Sequence, residues 1–513
     1  MIVIYHHNNK PTQVWDETGQ CALEFMSVPL SKLLFGLAQT HPERLMVWCD
    51  ETYRKNLNID QFSIIFHHKK MMASFCQNGN FLPESIGYIE ESSFIKINKK
   101  VTFPTWRMSS AVGGIDASVL EALRTKIKHD NDFDYFLNSL GKLAMPSGLF
   151  CYSEPQLLKG TTADYLRKGG NKSLFRFAKQ HYKTTWLFLL LLDLLVYEKK
   201  FPLFSACCAL FYKRRNLDVA TFDNVKIGSV KKSNNNKSID VVIPTIGRKP
   251  YLHDVLKDLA KQTSLPSTVI VIEQNPEPGS TTQLDYLTNE NWPFKIKHAF
   301  IHQSGACNAR NLALSEVESD WIFLADDDIR LNPVFLETAF EKISENANHV
   351  FNFACLNEGQ HNKYKTVHQT SIFGSGCSII SKESLGDSRF DMAFEFGFSE
   401  DLEFAMQLMN KGFDTYYFPQ PSIVHLKAPV GGFRTKPQLP WANDTFQPKP
   451  SPTVMLYKLM HHSKEQLLGY KTTLFFKFYN GQPIKNPYRY LKNFRKRWND
   501  SIFWANHLRN HAS

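Results

Sequence analysis

The chain has 513 residues, 60 Lys and Arg against 49 Asp and Glu for a formal net charge of +11, and 40 Phe. This length exceeds one hydrophobic core and predicts two domains of ordinary size with an appended tail, while the basic excess favours an anionic partner: nucleic acid, a nucleotide-bearing substrate or an acidic membrane surface. Nine scattered cysteines without a CxxC pair exclude a regular disulfide framework, and the opening MIVIYHHNN lacks the charged and long apolar regions of a secretory signal, so a reducing cytoplasm is expected.

Residues 1–160 read as an α/β domain without a recognisable chemical motif. Strands are predicted at 2–5 and 45–48, the second ending in Cys49, Asp50 and Glu51; helical spacing covers 30–38, and Gly113 and Gly114 mark a loop before a helix at 117–126. MVWCDE stands where FLADDD stands later, SAVGGIDASVL echoes FGSGCSIISKESL, and YKTT occurs at both 182–185 and 470–473. These echoes predict an internal pseudo-duplication whose first copy has lost a clean acidic pair.

Residues 161–230 form a helical, apolar and basic connecting region. Its stretch WLFLLLLDLLVY, 186–197, is shorter than the roughly 20 residues that cross a bilayer. Two readings stay open: a buried interdomain helix, or an interfacial membrane helix flanked by Lys179, Lys183, Lys199, Lys200, Lys213, Arg214 and Arg215. KKSNNNK, 231–237, reads as a linker.

A second domain is predicted over 231–435. Buried strands IDVVIP and TVIVI alternate with helices at 251–262 and 283–289; a strand at 295–300 and a helix at 308–317 follow, then DWIFLADDDIR. This alternation predicts βαβ units, a mainly parallel sheet and a ligand at the strands' carboxyl ends. There stand Pro244, Thr245 and Arg248, then Glu273, then the acidic triplet. Alternate residues of an extended chain point the same way, so Asp326 and Asp328 converge and suit a hard cation, whereas Asp327 faces elsewhere. An isolated acidic triplet is as readily a solvated corner. Asn308 and Arg310, in the loop-to-helix GACNARN, are further candidates for nucleotide contact.

Taken in order, VVIPTIGR, VIEQN, SGACNARNLAL and FLADDD make residues 239–427 resemble a family 2 glycosyltransferase domain of the GT-A fold. The resemblance implies a nucleoside-diphosphate sugar donor, such as a UDP-sugar, held with Mn²⁺ or Mg²⁺ at the DxD element, and inversion at the anomeric carbon. FGFSEDLEF resembles the family's ED motif, which implies Asp401 as general base with Glu400 beside it; alone, SEDLEF is also an ordinary helix start with Ser399 as N-cap. GSGC, with Gly374 and Gly376, resembles the acceptor-side loop. His425 in SIVHL resembles an additional metal ligand and favours Mn²⁺, and Gly431, Gly432, Phe433 and Arg434 form a candidate flap.

QLPW at 438–441 is not the QxxRW signature of processive synthases, so single additions are expected. The tail, 436–513, carries Tyr488, Arg489, Tyr490, Lys492, Phe494, Arg495, Lys496, Arg497 and Trp498; this suits an anionic bilayer surface or, equally, a solvated helix face, and no nucleic-acid fold signature accompanies it. The expectation is a cytoplasmic enzyme, peripheral on the cytoplasmic face of the membrane, that adds a sugar to a hydroxyl of a glycan or lipid-linked glycan acceptor in cell-surface polysaccharide biosynthesis. The alternatives are a sugar-1-phosphate nucleotidylyltransferase and a catalytically idle glycan-binding or scaffold subunit.

Overall fold

The computed structural model describes residues 1–77, 79–160, 167–231, 237–429 and 439–511. The chain divides into two compact units, residues 1–231 with 462–476 and residues 232–461 with 477–513.

In the first unit, strands β1 (Ile2–His7), β2 (Lys10–Asp16), β3 (Cys21–Leu23), β4 (Leu45–Asp50), β5 (Met71–Phe75), β6 (Phe103–Pro104), β7 (Val112–Asp116) and β8 (Phe150–Ser153) form one sheet in the order β3-β2-β1-β4-β7-β5-β8-β6. The apolar runs of β1 and β4 are buried on both faces, as central strands require. The helices are α1 (Leu30–Thr40), α2 (Phe62–Ile65), α3 (Ala117–Leu123) and α4 (Phe133–Ala144), then α5 (Asn171–His181), α6 (Thr184–Glu198) and α7 (Leu203–Leu210).

The second unit carries β9 (Ile239–Ile246), β10 (Thr268–Gln274), β11 (Lys295–Ile301), β12 (Trp321–Ala325), β13 (Ile329–Arg330), β14 (Val350–Asn357), β15 (His368–Thr370), β16 (Cys377–Ser381) and β17 (Thr415–His425), ordered β11-β10-β9-β12-β16-β14-β17-β13 with β15 beside β17. Between them run α8 (Lys249–Ala260), α9 (Tyr286–Asn289), α10 (Ala306–Ser315), α11 (Phe335–Asn346), α12 (Lys382–Leu385) and α13 (Glu400–Asn410); α14 (Pro452–His461), α15 (Lys464–Asn480) and α16 (Pro487–His511) complete the chain. The four strands β11, β10, β9 and β12 are parallel; beyond β12 the sheet is mixed, because β16 runs antiparallel to both its neighbours. Strand β12 is buried throughout, and Asp240 on β9 fixes the turn that enters it, accepting from Glu318 N (2.8 Å), Ser319 N (2.9 Å) and Ser319 Oγ (2.7 Å). This is the GT-A arrangement expected from the sequence.

The two sheets share a five-strand core. β1-β4-β7-β5-β8 and β9-β12-β16-β14-β17 have the same spatial order, the same order along the chain and the same directions: parallel, antiparallel, antiparallel, parallel. Register agrees as well. Leu45 pairs with Asp116 as Trp321 pairs with Ser381, and both Asp116 and Ser381 cap the helix that follows. Two of the sequence echoes are therefore structural, but YKTT is not: Tyr182 precedes α6, whereas Tyr470 lies within α15. The units differ on the other side of the first strand. Where β9 continues into parallel β10 and β11, β1 turns directly into the antiparallel hairpin β2 and β3. The parallel-strand ends that would receive a nucleotide are thus replaced in the first unit by a meander.

Candidate active site

The apolar strand β12 delivers its acids to the carboxyl edge of the second sheet. Ligand atoms of Asp326, Asp328 and His425 all lie within 4.8 Å of one another. His425 ends β17, paired opposite Ile329, and its Nε2 lies 3.3 Å from Asp328 Oδ1. Burial works against ionisation of Asp328, yet hydrogen bonds from His425 and from the Ala428 N–H (2.9 Å), with Arg248 nearby, hold its carboxyl below the usual range. Asp328 in turn raises the His425 imidazole. Asp327 faces the end of β9: it accepts from Thr245 Oγ1 (2.7 Å) and from Arg248 Nη1 (2.6 Å), and burial pushes its carboxyl up to about 6 despite those partners. Two hard carboxylates and an imidazole on one sheet edge fit a divalent ion of the Mn²⁺ or Mg²⁺ type.

Asp326 is held from two sides. Arg310 Nη2 donates to its Oδ1 at 3.0 Å, and Gly376 approaches so closely that a Cβ built there would stand 2.1 Å from Asp326 Oδ2. Gly374 is confined likewise by the Cys377 Sγ, 2.6 Å from where its Cβ would be. Asn352 on β14 organises this turn, its Oδ1 accepting from Gly374 N (3.2 Å), Ser378 Oγ (3.1 Å) and Cys377 Sγ (3.3 Å).

Asp401 stands in the first turn of α13 and accepts from Ser375 N at 3.4 Å through Oδ2, while its buried Oδ1 has no hydrogen-bond partner. Desolvation raises its carboxyl, with Arg310 opposing. Glu400 is pushed up to about 7, first by desolvation and then by the charge of Asp401. Ser399 occupies the N-cap position but has φ 82° and makes no side-chain capping bond, so the expected capping role is not what holds this helix start. Instead the loop is pinned to α14: Phe398 N donates to Thr453 Oγ1 at 2.9 Å, and Gly397 leaves no room for a Cβ beside Thr453.

The candidate nucleotide residues are placed unevenly. Pro244, Thr245 and Arg248 stand at the end of β9, with Thr245 and Arg248 engaged by Asp327. Glu273, next to last in β10, accepts from Thr282 Oγ1 (2.5 Å) and Gln283 N (3.0 Å) and lies 3.0 Å from His298. Arg310 is buried and directed at Asp326, and Asn308 donates its side chain to Gln303 O. The backbone N–H groups at the start of α10 are occupied by a residue the sequence reading missed: Glu395 accepts from Cys307 N (3.1 Å) and Asn308 N (2.8 Å). Gly305, at φ 144°, is the one signal of that closeness, since a Cβ there would lie 2.3 Å from the Glu395 carboxylate. Asn311 adds a second clasp, exchanging hydrogen bonds with the Phe390 backbone at 2.8 Å in both directions. The candidate flap at Gly431, Gly432, Phe433 and Arg434, and Gln438, lie outside the described residues.

The five-strand core gives the first unit counterparts of two of these groups. Cys49 pairs with Val112 as Ala325 pairs with Cys377, which sets Asp50 in the place of Asp326. Asp134, on α4, accepts from Ser110 N (3.0 Å) as Asp401 accepts from Ser375 N. Asp50 is spent on Thr52 N (3.0 Å) and Thr52 Oγ1 (2.7 Å), and Asp50, Asp134 and the neighbouring His6 are all buried.

Residues 240–407 match the family model described as Glycosyl transferase family 2. No curated protein matches the chain. Among solved structures, S. aureus TarS 1-349 aligns at 19% identity and TM-score 0.32 over 37% of this chain and 60% of that one; TarS 1-349 in complex with UDP-GlcNAc aligns at 17% identity and TM-score 0.38 over 52% of this chain and 81% of that one. Alignments this partial leave the fold to the sheet topology itself and the family to the matched residues. The second unit therefore contains a glycosyl transferase family 2 domain.

Proposed function

We propose that the second unit transfers a sugar from a nucleoside-diphosphate donor, such as a UDP-sugar, to a hydroxyl of a glycan or lipid-linked glycan acceptor, with inversion and with a divalent metal, in cell-surface polysaccharide synthesis at the cytoplasmic face of a membrane. The observation that carries this reading is the meeting of Asp326, one member of the Asp326, Asp328 and His425 cluster, with Asp401 at one turn, 374–377. Asp326, Asp328 and His425 would hold the ion. When bound, it supplies the positive charge that a departing nucleoside diphosphate needs. Arg310 fixes the Asp326 carboxylate, and Arg248 bridges Asp327 and Asp328, holding both in place. Asp401 takes the proton of the attacking acceptor hydroxyl: the O–H bond breaks as the new C–O bond forms at the anomeric carbon, the bond from that carbon to the diphosphate oxygen breaks with its electron pair leaving on the nucleoside diphosphate, and no covalent enzyme intermediate is required. The desolvation that raises the Glu400 and Asp401 pair makes either carboxylate a stronger base than one in water.

The test is a panel of sugar nucleotides with Mn²⁺ or Mg²⁺ and defined glycan acceptors, comparing the natural chain with Asp328→Ala and Asp401→Asn. Nucleoside diphosphate release that depends on metal and is lost in both variants is the expected result. Release of pyrophosphate would instead mark nucleotidyl transfer, and undiminished turnover in Asp328→Ala would refute the metal assignment.

A further inference from the structure

We propose that the exposed faces of α6 and α7 in the first unit form a docking surface for an anionic lipid bilayer. Helix α6 is apolar nearly all round, but only one side is covered: Leu187, Leu190, Asp193 and Leu194 are buried, and Phe188 (55% exposed), Leu195 and Val196 face solvent. The single acid of its apolar run is on the covered side, where Thr472 Oγ1 donates to Asp193 Oδ1 at 2.5 Å. The turn between the helices adds Phe201, 55% exposed. On α7 the exposed residues Leu203, Phe204, Cys207 and Leu210 continue through Phe211 at the spacing of one helix face, with Phe204 82% and Phe211 90% exposed. Single exposed apolar residues are unremarkable; a run of this kind on two consecutive helices is a surface that water disfavours.

Charge selects the occupant. Lys183, Lys199, Lys213 and Arg214 are exposed around this face, whereas the acids of the same stretch are withdrawn, Asp193 by burial and Glu198 by its ion pair with the exposed Lys200 at 2.9 Å. Aromatic and aliphatic side chains ringed by cations match the boundary between acyl chains and anionic headgroups. No described helix is long and apolar enough to cross a membrane, so the contact lies along the surface. The C-terminal tail, the other basic aromatic stretch, offers less: Tyr490, Phe494 and Trp498 of α16 are buried, and its exposed Tyr488 and Phe503 stand at opposite ends of that helix instead of in one run. The docking rests on exposure and charge and is independent of the transfer reaction.

The experiment is sedimentation of the full chain with vesicles of phosphatidylcholine alone or mixed with phosphatidylglycerol, across a salt series. The natural chain and Asp328→Ala are expected to bind the anionic vesicles equally, and more weakly as salt rises. Phe204→Ser with Phe211→Ser should lower binding by about tenfold or more, without changing the melting temperature because neither ring is packed. Lys199→Gln, Lys213→Gln and Arg214→Gln together should remove most of the salt dependence. Equal affinity for neutral and anionic vesicles, or undiminished binding by the double phenylalanine variant, would overturn the proposal. So would light scattering that finds a dimer which this variant converts to monomer, since a second copy of the chain would then be the occupant.

Discussion

Asp326 and Asp401 meet at one dipeptide: Ser375 donates its backbone N–H to Asp401 Oδ2 at 3.4 Å, and the Cβ that Gly376 lacks would stand 2.1 Å from Asp326 Oδ2. A group assigned to the metal and a group assigned to the acceptor are therefore spaced by a single rigid turn. Gly376→Ala is the direct probe of that spacing. Its expected effect is a loss of turnover on the order of a hundredfold from displacement of Asp326, with little change in melting temperature; an active Ala variant would show that Asp326 need not stand where it does.

Asp401→Asn should keep donor affinity and lose turnover by roughly 10²–10⁴. In the natural chain the base must be ionised to act. Burial raises both Asp401 and Glu400, the latter to about 7, so activity is expected to go on rising with pH beyond the range in which an exposed carboxylate has finished ionising. A flat profile from pH 5 to 8 would remove this pair from the rate-determining proton transfer.

Two arginines confront the three acids of the triplet: Arg248 lies 2.6 Å from Asp327 and 3.4 Å from Asp328, and Arg310 lies 3.0 Å from Asp326. Much of the negative charge is thereby compensated before any cation arrives. Mn²⁺ should bind weakly to the chain alone and more tightly once a nucleoside diphosphate contributes its own oxygens, a difference titration calorimetry can read. His425→Ala should narrow the preference for Mn²⁺ over Mg²⁺, because the imidazole is the ligand that Mg²⁺ accepts less readily.

In the first unit, Asp134→Ala tests whether the counterpart of Asp401 has become structural. Asp134 accepts from Ser110 N (3.0 Å) and Asn9 Nδ2 (3.3 Å) in a buried setting. Removing it should cost about 1–3 kcal/mol of stability and leave transfer unchanged at temperatures where the chain stays folded. Lost transfer in a folded variant would assign this carboxylate a part in the reaction.

Asp193 gives a pH signature of stability. Burial pushes its carboxyl up to about 7 even with Thr472 donating to it. For a carboxylate raised in the folded state, the penalty is absent below the unfolded value near 4, grows between 4 and 7, and is complete above 7. Asp193→Asn should therefore raise the melting temperature at pH 8 and change it little at pH 4, with a gain on the order of 2–4 kcal/mol at the higher pH. The opposite trend would mean that the carboxylate is stabilised where it lies.

The sequence by itself determined the features that are local. A short apolar run ending in Asp326, Asp327 and Asp328 had to be a buried strand with acids at its edge, but the period-two alternation of an extended chain does not carry through them, because residues 327 and 328 lie in a turn and Arg248 reaches both acids. The order of motifs likewise identified the domain, and two echoes in the first half reflected a shared five-strand core. What only the tertiary structure decided are the partnerships between residues far apart along the chain: Glu395 on the start of α10, Arg310 on Asp326, Asn352 under the glycine turn, and the antiparallel hairpin that stands in the first unit where the second has parallel β10 and β11. The physical reason is that a charged side chain carries no mark of its partner until the backbone brings the two within hydrogen-bond reach. For the same reason helix α6, apolar nearly all round, had no inside or outside until α15 covered Asp193 and left Phe188 in water.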